Sequence, residues 1–245
     1  MKLAARYAVL VVLLLAAASL VAAPQDATVR LASLEWPPYT GAQLPEQGTS
    51  SAVVRAAFAA AGYRVEIDFF PWSRAVLMAR SPDSGYDGYF PEYYAAHLER
   101  DFFFSKPIGE GPLGFAHLVN RPLEWNSLDD LAGTRIGVVQ DYVNTEEFDR
   151  RVAEGRLTVE AVTSDRLNVR KLLRGRLPVI VIDRNVLEYW LRHDEFSRAG
   201  AGQIAFNDRL LAVKKLYVCF TRTPRGQQLL QAFNAALERR MPPHP

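Results

Sequence analysis

Ile136-Gly137-Val138-Val139, Gln140 to Thr145, Glu146 to Gly155, Leu157 to Val162, Ser164 to Gly175, Val179-Ile180-Val181-Ile182 and Asp183 to Trp190 form the stretch that decides the fold. Apolar runs of strand length alternate with longer amphipathic segments, the β-α-β-α-β-α pattern of a parallel sheet covered by helices. Ligands of such sheets sit beyond the C-terminal ends of the strands. Those ends fall at Gln140 to Thr145 and at Asp183.

The first third of the chain repeats this logic. Thr28 to Leu34 reads as a strand, and Glu35-Trp36-Pro37-Pro38-Tyr39 breaks it, because two prolines suit neither ladder nor helix. This puts Glu35, Trp36 and Tyr39 on a rigid loop at a strand's C-terminal end. Thr49 or Ser50 caps a helix stopped by Gly62, and Val65 to Phe70 alternates as a strand. Trp72 and Arg74 open a short helix, and Tyr86 to Phe90 is a third strand, followed by Pro91-Glu92-Tyr93-Tyr94 at its end. Gly109-Glu110-Gly111-Pro112-Leu113-Gly114 reads as a crossover, with Phe115 to Val119 the strand that enters a second lobe. There Asn144 caps a helix with Glu147 three residues on, Ser164 caps the next, and Arg184 to Phe196 is a third. Leu210 to Val213 and Leu216 to Phe220 read as strands returning to lobe one, and Thr223-Pro224 opens a last helix.

Lys2 and Arg6 precede an apolar run, Ala8 to Ala23, shorter than the roughly 20 residues of a spanning helix. This reads as a signal peptide, residues 1–23, cut between Ala22 and Ala27. Removing it takes away Lys2 and Arg6 and no acid, which brings the formal charge from +2 to 0. A neutral exported chain has no footprint for nucleic acid. Cys219 is the only cysteine and lies in an apolar run, so it reads as a buried thiol. No His/Cys/Asp spacing suggests a metal.

The fold class expected is α/β, with two lobes that each hold a mostly parallel sheet flanked by helices and a ligand cleft between them. Residues 26–112 with 207–245 form lobe one, and residues 113–206 form lobe two. In order, Trp36-Pro37-Pro38-Tyr39, Tyr86-Asp87-Gly88, Phe104-Ser105-Lys106-Pro107, Leu131-Ala132-Gly133 and Val181-Ile182-Asp183 resemble the extracytoplasmic solute-binding proteins of the polar amino acid type, the type II periplasmic binding fold.

That resemblance implies a periplasmic monomer that closes on an amino acid or related zwitterion and delivers it to an ABC-type permease, with no cofactor. It also makes Asp183 the receiver of the ligand ammonium; the helix cap is its other reading. The loop that would meet the ligand carboxylate reads Gln140-Asp141-Tyr142-Val143-Asn144-Thr145, with Asp141 where glycine is usual. Tyr142, Asn144 and Thr145 are candidates there, the last two through backbone N–H groups at a helix start. The family's clamping arginine falls at Leu98 or Glu99, and Arg100 reads as a solvated charge. Arg74 is the alternative clamp or a surface ion pair, and a ligand without an α-carboxylate is the third possibility. Trp36, Tyr39, Trp72, Tyr89, Tyr93 and Tyr94 offer ring faces, some of them as plain core, and Glu35 and Glu92 offer carboxylates for an amine. A dehydratase-like enzyme or a free-standing sensor on the same fold are the alternatives.

Overall fold

The structure is a computed structural model that describes residues 28–240. The signal peptide expected at residues 1–23 and the chain after Arg240 lie outside the described residues.

The described residues form nine strands: β1 (Thr28–Ser33), β2 (Arg64–Phe69), β3 (Gly88–Tyr93), β4 (Phe102–Phe104), β5 (Gly109–Leu118), β6 (Arg135–Val139), β7 (Thr158–Val162), β8 (Val179–Asp183) and β9 (Ile204–Thr221). The helices are α1 (Thr49–Ala60), α2 (Trp72–Arg80), α3 (Glu146–Ala153), α4 (Asp165–Leu173), α5 (Arg184–His193), α6 (Glu195–Ala199) and α7 (Pro224–Arg240). Short 3-10 turns fill the joints.

The two lobes repeat one topology. In the first, β2 and β3 flank β1 in parallel, and β9 closes antiparallel on β3. In the second, β7 and β8 flank β6 in parallel, and β5 closes antiparallel on β8. The long strands β5 and β9 pair with each other from Gly109↔Leu216 to Leu118↔Ile204. Hydrogen bonding is therefore continuous in the order β2-β1-β3-β9-β5-β8-β6-β7, with β4 alongside β9. The half-sheets are joined by one two-stranded ribbon.

Each half-sheet buries the apolar runs that the sequence supplies. Val29, Leu31 and Ala32 of β1 and Ile136 of β6 are fully buried, as is Ile180 of β8. Phe58 of α1 and Phe233 of α7 pack on Phe220 of β9 from one side. Val169 and Leu172 of α4 cover the second half-sheet.

Several expected boundaries are corrected. The crossover segment 109–114 is itself strand, so the strand expected from Phe115 already starts at Gly109. The two returning strands are one strand of 18 residues. Helix α1 starts from Gly48 at φ 101 without a side-chain cap, so neither Thr49 nor Ser50 caps it. Helix α3 is capped by Thr145, whose hydroxyl accepts from Phe148 N, and not by Asn144. The helix expected to run from Arg184 to Phe196 is two helices, because Asp194 ends the first and caps the second through Ser197 N. The third strand runs on through Pro91 and Glu92 to Tyr93 across a register shift. Ser164 does cap α4, and Gly62 and Gly175 do close their helices at positive φ.

Candidate functional site

The C-terminal tips of all six parallel strands face one another across the gap between lobes. β1 runs into Trp36 and Tyr39, β2 into Trp72, and β3 ends in Glu92 and Tyr93. Opposite them, β6 runs into Asp141 and Tyr142, β7 into Asp165, and β8 ends in Asp183. This is where a parallel sheet leaves its backbone groups and loop side chains free for a ligand.

Three side chains of lobe one reach lobe two. The Tyr39 hydroxyl donates to the Asp183 carboxyl, 3.3 Å from Oδ1 and 3.2 Å from Oδ2. It also accepts from Asn185 Nδ2 at 2.7 Å. The Trp72 indole N–H donates to the Asp141 carbonyl at 3.0 Å, and Ser73 donates to the Asp141 carboxylate. Asp141 holds φ at 62°, a left-handed backbone that explains why glycine suits this place, and its exposed carboxylate turns to Ser73 rather than inward.

Between these bridges lies a narrow cavity of about 20 Å³, room for a water or two, lined by Leu34, Trp36, Trp72, Pro91, Glu92, Tyr93, Tyr142, Val143 and Leu216. Its walls are rings in mutual contact. Trp36 stacks on Tyr39 at 4.6 Å and meets Tyr93 edge-on at 5.9 Å; Trp72 meets Tyr142 at 5.8 Å. Outside it, an open groove shares Glu92, Tyr142 and Val143 with the cavity.

Three buried carboxyls surround the rings. Glu92 accepts from Tyr89 Oη at 3.0 Å and from Tyr93 N at 2.8 Å. Burial nevertheless pushes it up to about 8, outweighing those two bonds and the pull of Lys214. Asp165 is hydrogen-bonded by Tyr142 Oη at 3.3 Å, and burial raises it to about 7. Asp183 accepts from Asn185 N at 2.8 Å and Val186 N at 3.2 Å as the cap of α5, and burial raises it to about 6. Both of its expected roles are thus geometrically open to it: it caps the helix with one oxygen and faces lobe one with both. Gly111 on β5 permits the approach, since a Cβ there would stand 2.1 Å from Asp183 Oδ2 and 2.4 Å from Tyr39 Oη.

Of the residues singled out in the sequence, Trp36, Trp72, Glu92 and Tyr142 line the cavity, and Tyr39 and Asp183 close one end of it. The others lie elsewhere. Glu35 is exposed and accepts from Ala42 N. Arg74 is exposed and lies over the Phe70 ring at 5.1 Å. Tyr94 is exposed and packs on Phe104 and Tyr217. The backbone N–H and the side-chain amide of Asn144 both donate to Asp149, and Thr145 is committed to its cap. Arg100 is exposed beside Asp101 at 3.7 Å.

Tyr93, one of the rings named from the sequence, also lines the cavity, and the structure adds Asp165, Asn185, Gly111 and Lys214. Lys214 is paired with Gly111 across the β5–β9 ribbon, so it points to the same face. Its ammonium sits over the Tyr93 ring at 5.1 Å, and burial lowers its pKa. Among the described residues, no group of three or more His, Cys, Asp or Glu is placed to hold a metal ion, and no helix is long and apolar enough to cross a membrane.

No protein-family model and no curated protein matches the chain. Solved structures do. An ancestral arginine-binding protein bound to arginine superposes with a TM-score of 0.72 at 16% identity, over 87% of this chain and 92% of that one. A histidine kinase sensor domain with similarity to periplasmic binding proteins gives 0.73 at 18%, over 87% and 90%. An amino acid ABC transporter substrate-binding protein from Streptococcus pneumoniae bound to L-arginine gives 0.71 at 12%, over 89% and 90%. With the repeated half-sheets, the two-stranded link and the cleft at the strand tips, these matches establish that the chain has the type II fold of the periplasmic binding proteins.

Proposed function

We propose that the protein is an exported binding protein for a small polar solute that presents an amino group, held between the lobes and delivered to an ABC-type permease. Lobe one would comprise residues 26–112 and 207–245, and lobe two residues 113–206, with the β5–β9 ribbon as hinge. The observation that carries this reading is the bridge from Tyr39 to Asp183 over a ring-lined cavity. A buried carboxyl of one lobe meets a hydroxyl of the other, and a ligand ammonium that replaced the hydroxyl would be held by both lobes. Trp36, Trp72, Glu92, Tyr93 and Tyr142 would contact the ligand, and Asp165 would support Tyr142. Binding suits the site better than catalysis, because the one carboxyl in the cavity wall is tied by two hydrogen bonds. The solutes bound by the arginine-binding protein and the pneumococcal substrate-binding protein also carry an amino group.

Thermal denaturation of the mature protein against amino acids, amines, small carboxylates and sugars tests this. A ligand at about 100 times its dissociation constant adds roughly 2.7 kcal/mol to the folded state. Asp183→Asn keeps a side chain able to cap α5 but removes the charge; Trp36→Phe trims a cavity wall. Both are expected to weaken the stabilisation at least tenfold in ligand concentration. A ligand that stabilises both variants as well as the parent, or a panel without effect, would refute the site.

A further inference from the structure

We infer that the solute is a small organic cation without a carboxylate, a primary amine or ammonium rather than an amino acid. The inference rests on the solute-binding reading above and narrows its ligand class. Four ring faces or edges, from Trp36, Trp72, Tyr93 and Tyr142, make the cavity walls, and one carboxyl, Glu92, enters it. Ring faces attract cations, most strongly when both partners are desolvated. Tyr93 already serves one cation in this way, since Lys214 lies over its ring.

No Lys or Arg lines the cavity among the described residues. The cations nearby are placed elsewhere. Arg74 lies over Phe70 on the surface, Arg80 is paired with Asp101 at 3.2 Å at the outer groove, and Lys214 sits against Tyr93 outside the cavity lining. A ligand carboxylate inside the cavity would therefore lose its water without meeting a cation in the cavity wall.

A second observation is independent of the acids. Tyr93 is a cavity wall, only 6% exposed, and its hydroxyl is buried with no hydrogen-bond partner. A buried hydroxyl without a partner is costly. Once the lobes part enough to admit it, an ammonium N–H would satisfy the phenol oxygen while its charge faces Glu92 and the rings. The Trp36 N–H, also without a partner at hydrogen-bond geometry, lies toward Asp165 and helps stabilise that charge.

Matched pairs differing only by a carboxylate decide the matter: agmatine against arginine, and 1,5-diaminopentane against lysine, each titrated calorimetrically into the mature protein. The expected result is that at least one amine binds and that it binds at least tenfold tighter than its amino acid. The Glu92→Gln variant, nearly isosteric, should weaken that amine at least tenfold, and Tyr93→Phe should weaken it by a smaller factor. An amino acid that equals or exceeds its amine overturns the cation reading and leaves the solute-binding reading standing. If neither pair binds, the cation reading is overturned, and the broader thermal panel separately decides whether any solute binds.

Discussion

Glu92 concentrates the chemistry of this molecule at the residue scale. Tyr89 and Tyr93 from its own strand hydrogen-bond it, and the charged or ionisable groups that act on it or feel it are Lys214 and Cys219 of β9, Asp149 of α3 and Tyr142 of the loop after β6. Burial holds its proton to about 8 when folded, against an ordinary value of 4.5. Between those values the folded chain keeps a proton that the unfolded chain has released. The stabilisation is whole below about pH 4.5 and is lost as pH rises toward 8. Asp165 and Asp183 act in the same direction up to about 7 and 6. Asp194 acts oppositely and only at low pH: burial would raise it, but Arg170, Ser197 and Arg166 outweigh that and pull it well below the usual range. Urea denaturation at pH 5 and pH 8 should therefore show a lower stability at pH 8. Glu92→Gln should remove a share of that drop of order a few kcal/mol, since one pKa unit is worth about 1.4 kcal/mol. Identical pH slopes for the parent and the variant would show that Glu92 is ionised in the folded state. An ammonium set against Glu92 would restore its charge, which makes the same residue both a stability sensor and a ligand group.

The residues found from sequence and those missed differ for a physical reason. Trp36, Trp72, Tyr142 and Asp183 follow directly on strands, so reading the strand ends finds them. Glu35 and Tyr94 lie next to buried Trp36 and Tyr93 in sequence but are exposed, and the register shift within β3 breaks the alternation that would have ordered Glu92, Tyr93 and Tyr94. Asp165 looks like any acid in the first turn of a helix, and only the burial of α4 beside Tyr142 sets it apart.

At the scale of elements, the β5–β9 ribbon decides how the lobes meet. Gly109, Gly111, Pro112 and Gly114 read as loop because glycine and proline are poor strand formers. Here the absence of a side chain is what the strand needs: Gly111 leaves the space in which Asp183 and Tyr39 meet, and Gly114 leaves space for Phe206. That need arises from contacts between residues more than 70 positions apart, which no local pattern records. Gly111→Val should therefore leave the half-sheets intact and forbid the closed lobes. The measurement is paired: chemical denaturation, expected to fall by about 1 kcal/mol, the centre of the range for point substitutions, and small-angle scattering, expected to show a larger radius of gyration than the parent. A variant as compact as the parent that still binds ligand would mean that Asp183 and Tyr39 need not meet.

At the scale of the whole molecule, two copies of one β-α-β topology share only that ribbon and the contacts across the cleft. The repeat of pattern without repeat of sequence was visible early, because apolar runs of strand length bounded by helix caps survive where residue identities do not. What was not visible is that hydrogen bonding runs unbroken from one half-sheet to the other, which gives the hinge two strands rather than two loops. Closure then depends on a few contacts, chiefly Tyr39 with Asp183 and Asn185, and Trp72 and Ser73 with Asp141. Contacts so few are of the size that a ligand's own binding energy can tip.

Movement of the lobes about the ribbon is the claim on which binding depends, and a distance across the cleft tests it most directly. Leu77 of α2 and Leu167 of α4 are exposed, and Cys219 is buried, so Leu77→Cys and Leu167→Cys accept spin labels selectively. Double electron–electron resonance on the labelled protein should give a distribution with a longer and a shorter separation, and the tightest solute of the thermal panel should shift it to the shorter. A single separation, the same with and without saturating solute, would contradict the account.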